Sequence, residues 1–468
     1  MDHSYNHNGY STTHTAATSA TATPMRPGSP DSAAHDFITP MPKGQGPGTN
    51  PFSSPFASGR ASVNASSSAL NIHHGAQQSK YFHSRRVKKG EIERPWLDKK
   101  DPREKWVTII PLIGLGLGFA FAAFLIYDGL KTVVKHDYCP VLDEDFSRGW
   151  DDSVWTKESE VGGFGNGQFE QTTTTDENVF IEGGKLHIKP TMQDENLINA
   201  NSKIDLTDCS SDVYMNCHAV TNLTNGTIVP PVKSGRINTK KGATIKYGRI
   251  EVTATLPSGD WLWPAIWMLP VENKYGDWPK SGEIDIVESR GNNYTYGQGG
   301  NNIVSSALHW GPNEANDAWW RTNVKRNALH TTFSAKPHTF GMEWSEKYIF
   351  TYIDTRLLQV LYTNFDQSLW ARGNFPLSDS NGTRLVDPWS QTGNKATPFD
   401  ESFYLILNVG VGGTNGWFKD GKSGKPWVDQ SLTAKKDFYA ARDQWLPTWE
   451  KNSDMIVSSV KIWQEGKC

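Results

Sequence analysis

Between Gly282 and Ser289 the chain reads GEIDIVES, which places carboxyl groups at Glu283, Asp285 and Glu288 with apolar residues between them. Side chains alternate between faces along a strand, so Glu283 and Asp285 share one face and Glu288 would point away. One extra residue taken up in a β-bulge returns Glu288 to their side. The backbones of the two glutamates then stand roughly 13 Å apart, at ~3.3 Å per residue. Leaning side chains close this to the ~5 Å that suits a nucleophile and a proton donor in retaining acetal hydrolysis. One carboxylate must stay ionised while its partner holds a proton, and an intervening Asp bonded to the nucleophile helps keep them in different states.

A solvent-facing acidic strand would carry the same letters, so the flanking residues decide. Ile284, Ile286 and Val287 supply a packed opposite face, and Trp261, Trp263, Trp267 and Trp278 lie just upstream. The chain holds 19 Trp and 12% aromatic residues, a supply of flat apolar surfaces suited to sugar rings. Lys plus Arg is 47 against 50 for Asp plus Glu, and the net charge of -3 offers no field to attract nucleic acid. Gly416 to Ser423 satisfies the phosphate-cradling GxxxxGK[ST] pattern, but Gly424, Lys425 and Pro426 follow where a helix must begin, and Trp417 and Phe418 crowd the loop.

The elements that must position these groups are strands. From Asp143 onward, short runs of period two alternate with Gly, Pro, Asn and Ser, as in Lys185 to Lys189, Gly248 to Leu256, Thr339 to Trp344, Tyr348 to Asp354, Ser402 to Val411 and Met455 to Trp463. This predicts an all-β sandwich over residues 143–468.

Ahead of it, Trp106 to Tyr127 is 22 residues without a charge, enough for a helix of roughly 33 Å that crosses a bilayer. Arg85, Arg86, Lys88, Lys89, Arg94, Lys99, Lys100, Arg103 and Lys105 precede it, whereas Lys131 and Lys135 alone follow closely. The positive-inside rule puts the N-terminus in the cytosol and makes the segment an uncleaved signal anchor. The expected organisation is a disordered cytosolic tail over 1–84, a basic segment over 85–105, the span over 106–127, a linker over 128–142 and the catalytic domain beyond. All four cysteines, Cys139, Cys209, Cys217 and Cys468, fall on the far, oxidising side. Cys209 with Cys217 and Cys139 with Cys468 is the natural pairing, the second requiring first and last strands to be neighbours; other pairings stay open. Asn222, Asn225, Asn293 and Asn381 open glycosylation sequons on the same side.

GDWLWPAIWMLP at 259–270, YGDWPKSGEIDIVESRGN at 275–292 and SGRINTKKGATIKYGRIEVTATLP at 234–257 resemble glycoside hydrolase family 16, in particular its laminarinase-like members. The likeness extends through GFGNGQFEQTT, ALHWGP, PFDESFYLILNVGVGG and ARDQWLPTW. It implies a concanavalin A-like β-jelly roll of two antiparallel sheets and double displacement on β-glucan. Glu283 would be the nucleophile, Glu288 the acid/base and Asp285 the assisting carboxylate, and the bulged spacing resembles the branch acting on β-1,3-glucans. Trp267 and Trp278 would be sugar platforms, with Trp263, Asn166, Arg236, His309 and Trp417 as further groove contacts. Core packing competes for Trp263 and Trp417, and a structural role for His309. The implied partners are β-glucan and a lipid bilayer. No cofactor is required, and a structural Ca2+ stays open. Type II topology with a polar tail resembles fungal membrane proteins of β-glucan assembly, which adds transglycosylation to hydrolysis. A non-catalytic glucan-binding protein is the alternative.

Overall fold

The computed structural model describes residues 85–95, 98–99, 101–132 and 135–468; the expected disordered tail lies outside them. The chain divides into two compact units, residues 1–104 and 105–468. Within the described part of the first, Arg85 pairs with Glu91, whose carboxylate also accepts the Lys88 N–H at 2.8 Å.

The apolar helix Glu104–Thr132 is 29 residues long, exposed along its described side chains and, from Lys105 onward, part of the second unit. It outruns the uncharged 22-residue stretch because its backbone bonds continue over the flanking polar residues. Glu104 in the first turn and Lys131 in the last suit the helix dipole.

Two eight-stranded antiparallel sheets follow. One runs Thr355–Asn364, Tyr348–Ile353, His338–Trp344, Gly248–Thr255, Met455–Glu465, Lys185–Ile188 and Val179–Glu182, with Tyr138–Glu144 also paired to Met455–Glu465. The other runs Asn323–Asn327, Ile303–His309, Glu283–Ser289, Leu262–Pro270, Phe403–Val411, Arg236–Asn238 and Thr156–Lys157, with Thr244–Ile245 also on Phe403–Val411. The period-two runs of the sequence are these strands, and together they make the expected jelly-roll sandwich. Gly248–Thr255 alternates strictly, burying Ile250, Val252 and Ala254 while Arg249, Glu251 and Thr253 stay partly exposed, the signature of a sheet with one wet face. Leu262–Pro270 and Phe403–Val411 are buried almost throughout, because loops and aromatic side chains cover their outer face as well.

Both sheets feed one core, and that core absorbs much of the tryptophan excess: Trp155, Trp310, Trp344, Trp427 and Trp445 are among its largest buried side chains. Four of these indoles find an N–H acceptor, Trp310 on Thr322 Oγ1 (2.9 Å), Trp344 on Phe399 O (3.1 Å), Trp427 on Gly413 O (2.8 Å) and Trp445 on Phe438 O (2.9 Å). Residues 416–423 form a loop with no helix before Ala434–Ala440, so the phosphate-loop pattern has no phosphate-loop geometry.

The first and last strands of the sandwich are neighbours, with Tyr138 opposite Glu465 and Cys139 opposite Gln464. That register brings Cys139 to Cys468, and the two form a disulfide across 329 residues; Cys209 and Cys217 form the other. Closing so long a loop restricts the unfolded chain strongly, so replacing Cys139 and Cys468 together by Ser should cost about 2–5 kcal/mol. Thermal unfolding of the full-length chain in detergent checks this: the variant should melt lower, and reductant should lower it less than it lowers the native protein.

Candidate active site

The strand Glu283–Ser289 carries a bulge. On one side Trp267 pairs with Asp285 and Ile266 with Val287; on the other Ala307 pairs with Asp285 and Ser305 with Glu288. Ile286 is the extra residue, and it turns into the core beside Val287 and Ile284, each at most 2% exposed. Glu288 thereby joins Glu283 and Asp285 on the face turned away from the other sheet, as the spacing required.

Each glutamate accepts an indole N–H, Glu283 Oε2 from Trp278 at 2.7 Å and Glu288 Oε1 from Trp263 at 2.9 Å. Asp285, 2% exposed, lies between them with Oδ2 3.2 Å from His309 Nε2. His309 stands opposite Glu283 on the adjacent strand. Its Nδ1 is 2.5 Å from Asp317 Oδ2, and Asp317 Oδ1 accepts the backbone N–H of Trp310 (3.1 Å) and Trp319 (3.2 Å). The imidazole is thus gripped from both ends by carboxylates.

Burial raises all three strand carboxyls. Glu283 is pushed up to about 8 by burial and then by the charge of Asp285, against the opposing pull of His309 and Trp278. Asp285 is pushed up to about 6 by burial and Glu288, and Glu288 rises for the same first reason. Burial works against charge on His309 too, yet Glu283, Asp285 and Asp317 together hold its pKa well above the ordinary imidazole value. The groups interact so closely that their titration belongs to the cluster rather than to single residues. Glu283, Asp285 and His309 also offer ligand atoms within 4.8 Å of one another, the spacing a small cation would use, although His309 already spends its other nitrogen on Asp317.

The aromatic expectations separate into two kinds. Trp278 is 40% exposed and leans over His309 (ring centroids 5.5 Å), an open surface beside Glu283. Trp267 is half-buried, anchored through its N–H to Asn408 Oδ1 at 2.7 Å, with the Arg236 guanidinium 4.8 Å from its ring centre. Arg236 is fixed in turn by Glu158 (2.8 Å) and by the Phe164 ring. Trp263 and Trp417, in contrast, stack on each other (4.7 Å, 10°). Asn166 ties the loop before Trp417 in place, its side-chain oxygen accepting from Asn415 Nδ2 (2.9 Å) and its carbonyl from Thr414 N (3.0 Å). All four sequon asparagines, Asn222, Asn225, Asn293 and Asn381, are exposed. A cavity of about 700 Å³ beside Lys189, Arg442, Trp449 and Asp454 is lined by none of the candidate catalytic or sugar-contact residues.

Four supporting residues went unread in the sequence: Asp317, Glu158, Asn408 and Arg290. Arg290 alone left a signal, since it sits two positions after Glu288. The grip of Asp317 on His309 yields a test that needs no substrate. Asp317→Asn removes one of the negative charges that favour the imidazolium, so His309 should lose its proton at lower pH than in the native chain; an NMR titration of the labelled imidazole reads the shift.

A family model described as glycosyl hydrolases family 16 matches residues 171–382, the bulged strand included. The chain is 36% identical over 348 residues to a beta-1,3-glucan-binding protein of Penaeus monodon, the match covering 70% of this chain and 90% of the relative. It is 31% identical over 259 residues to glucan endo-1,3-beta-glucosidase A1 of Niallia circulans, covering 54% of this chain and 29% of that protein. Among solved structures, the catalytic domain of an endo-1,3-beta-glucanase (laminarinase) from Thermotoga petrophila aligns at 24% identity over 71% of this chain and 100% of its own, with a TM-score of 0.45. With a family model over the carboxylate strand and a relative spanned along nine-tenths of its length, this chain belongs to glycosyl hydrolases family 16.

Proposed function

We propose that the chain is a retaining glycosidase that cleaves or remodels β-1,3-linked or mixed-linked glucan. The observation that carries the reading is the bulged strand, with three carboxyls on one face and an indole N–H on each glutamate. Glu283 attacks the anomeric carbon as the glycosidic C–O bond breaks, and Glu288 gives its proton to the departing oxygen. The covalent glycosyl-enzyme is then released by an acceptor hydroxyl, whose proton Glu288 takes back. Water as acceptor gives hydrolysis and a second glucan gives transglycosylation. Asp285 and His309 hold the charge balance around Glu283, Trp278 and Trp267 offer ring surfaces, and the chemistry requires no cofactor.

Binding without cleavage is the second reading, favoured by one observation: several relatives are named beta-1,3-glucan-binding proteins, among them those of Penaeus monodon and Tenebrio molitor. Crowding speaks for catalysis, because three carboxyls on one strand face, with Asp285 buried and both glutamates partly so, are costly to keep, and strongly perturbed groups concentrate at reacting sites.

We further propose that Glu104–Thr132 anchors the chain in a bilayer with its N-terminus cytosolic and residues 143–468 luminal or extracellular, on the secretory route or at the plasma membrane. The mean hydropathy of 2.5 over its apolar 18-residue stretch, the basic flank before it, two disulfides after it and four exposed sequons all support that orientation.

Product analysis of the full-length chain with β-1,3-gluco-oligosaccharides tests the function. Native protein should yield shorter products, or longer ones if sugar is the acceptor. Glu283→Gln should lose turnover by about a thousandfold or more while still binding glucan. Native protein that binds these oligosaccharides and leaves them intact would turn the assignment to a glucan-binding protein.

A further inference from the structure

Arg290 follows the carboxylate strand, is 7% exposed and forms no salt bridge among the described residues. Its hydrogen bonds go to backbone instead: Nη2 and Nε donate to Trp417 O at 2.6 and 3.1 Å, and Nη1 reaches Gln298 O at 3.5 Å. The guanidinium carbon lies 3.9 Å from the centre of the Trp417 ring, and the Trp263 ring lies parallel to that same ring at 4.7 Å. Two planar groups at those distances cannot share one face, so Trp417 is sandwiched, with Arg290 on one side and Trp263 on the other. Trp263 closes the sequence by donating its N–H to Glu288 Oε1 at 2.9 Å.

We infer that Arg290 is a positioning residue for the proton carried by Glu288, acting through the stacked rings of Trp417 and Trp263. The inference rests on the glycosidase reading and extends it. A stacked indole has little freedom to tip, so the Arg290–Trp417 clamp fixes the direction of the Trp263 N–H. That N–H occupies Oε1 and leaves the other oxygen of Glu288 to hold the proton toward the departing sugar. The positive charge of Arg290 also reaches Glu288 and favours its ionised form, which eases proton release in the first step. Trp417 thus enters the site as a wedge rather than as an open sugar platform, both of its ring faces being taken.

A residue that works through the general acid matters only when the departing oxygen needs a proton. The experiment compares kcat/KM, which reports the chemistry up to glycosyl-enzyme formation, for two substrates of the full-length chain: a β-1,3-gluco-oligosaccharide and a 2,4-dinitrophenyl β-laminaribioside. The second releases a stable phenolate unaided. Arg290→Met should lose about 30-fold on the oligosaccharide and about threefold or less on the dinitrophenyl glycoside. Trp263→Phe, which keeps an aromatic ring to stack and removes the N–H, should show the same asymmetry. Arg290→Lys, which keeps the charge without the planar fork, should fall between Met and native. Equal losses on both substrates, or none on either, would overturn the inference while leaving the glycosidase reading intact. Should Arg290→Met fail to fold, the Trp263→Phe and Arg290→Lys comparisons decide in the same way. Native protein inactive on both substrates would defeat the glycosidase reading itself, and the inference with it.

Discussion

Everything at the candidate site depends on one unpaired residue. Without Ile286 as a bulge, Glu288 would sit on the core side of the sheet, where Val287 now packs, and an ionisable group would meet a hydrophobic interior. The bulge exchanges those two positions and costs the sheet one residue of ladder. The neighbouring strands make the cost tolerable. Leu262–Pro270 and Ile303–His309 keep their pairing on both sides of the interruption, so the strand is held above and below the point where it buckles. The rigid sandwich underneath is what makes the position of three side chains reproducible.

Once the carboxyls share a face, electrostatics becomes the governing problem. Three acids this close resist being charged together, and each is raised by burial and by the charge of one neighbour. The site answers with donors rather than with a salt-bridged lysine or arginine. Two indole N–H groups take one oxygen of each glutamate, and His309, held between Asp285 and Asp317, is placed so that both carboxylates favour its protonated form. Indole N–H groups cannot give up their proton, so they orient the carboxylates without entering the proton exchange. That separation of orienting groups from exchanging groups is what the different roles proposed for Glu283 and Glu288 require.

Much of this was legible in the sequence because it is local. Period-two alternation marks the strands, and the spacing of GEIDIVES against that period already demands a bulge. The disulfide between Cys139 and Cys468 was conditional on a strand neighbourhood that the register supplies. What stayed hidden is long-range. Glu158 meets Arg236 from 78 positions away, nothing in the letters says that Trp263 and Trp417 face each other across more than 150 residues, and even the nearby Asp317 meets His309 through a loop without periodicity. Residue type misled in one respect: a tryptophan can be a ligand surface, a core filler or a wedge, and only burial and ring geometry distinguish Trp278 from Trp344 and Trp417.

The wedge bears on how binding and cleavage separate in a groove of this kind. Open rings such as Trp278 serve a bound glucan whether or not it is cut. The Arg290–Trp417–Trp263 stack offers a ligand no free ring face on Trp417, and its last hydrogen bond lands on a glutamate rather than toward the groove. Burying the Arg290 guanidinium carries a desolvation penalty, which its backbone hydrogen bonds and the Trp417 ring partly offset. A glycosidase gains control over one proton, which protonates the departing oxygen and is then recovered from the acceptor. On the glycosidase reading, the last hydrogen bond of the stack lands on the group that gives up and recovers that proton, which gives the buried guanidinium a physical purpose.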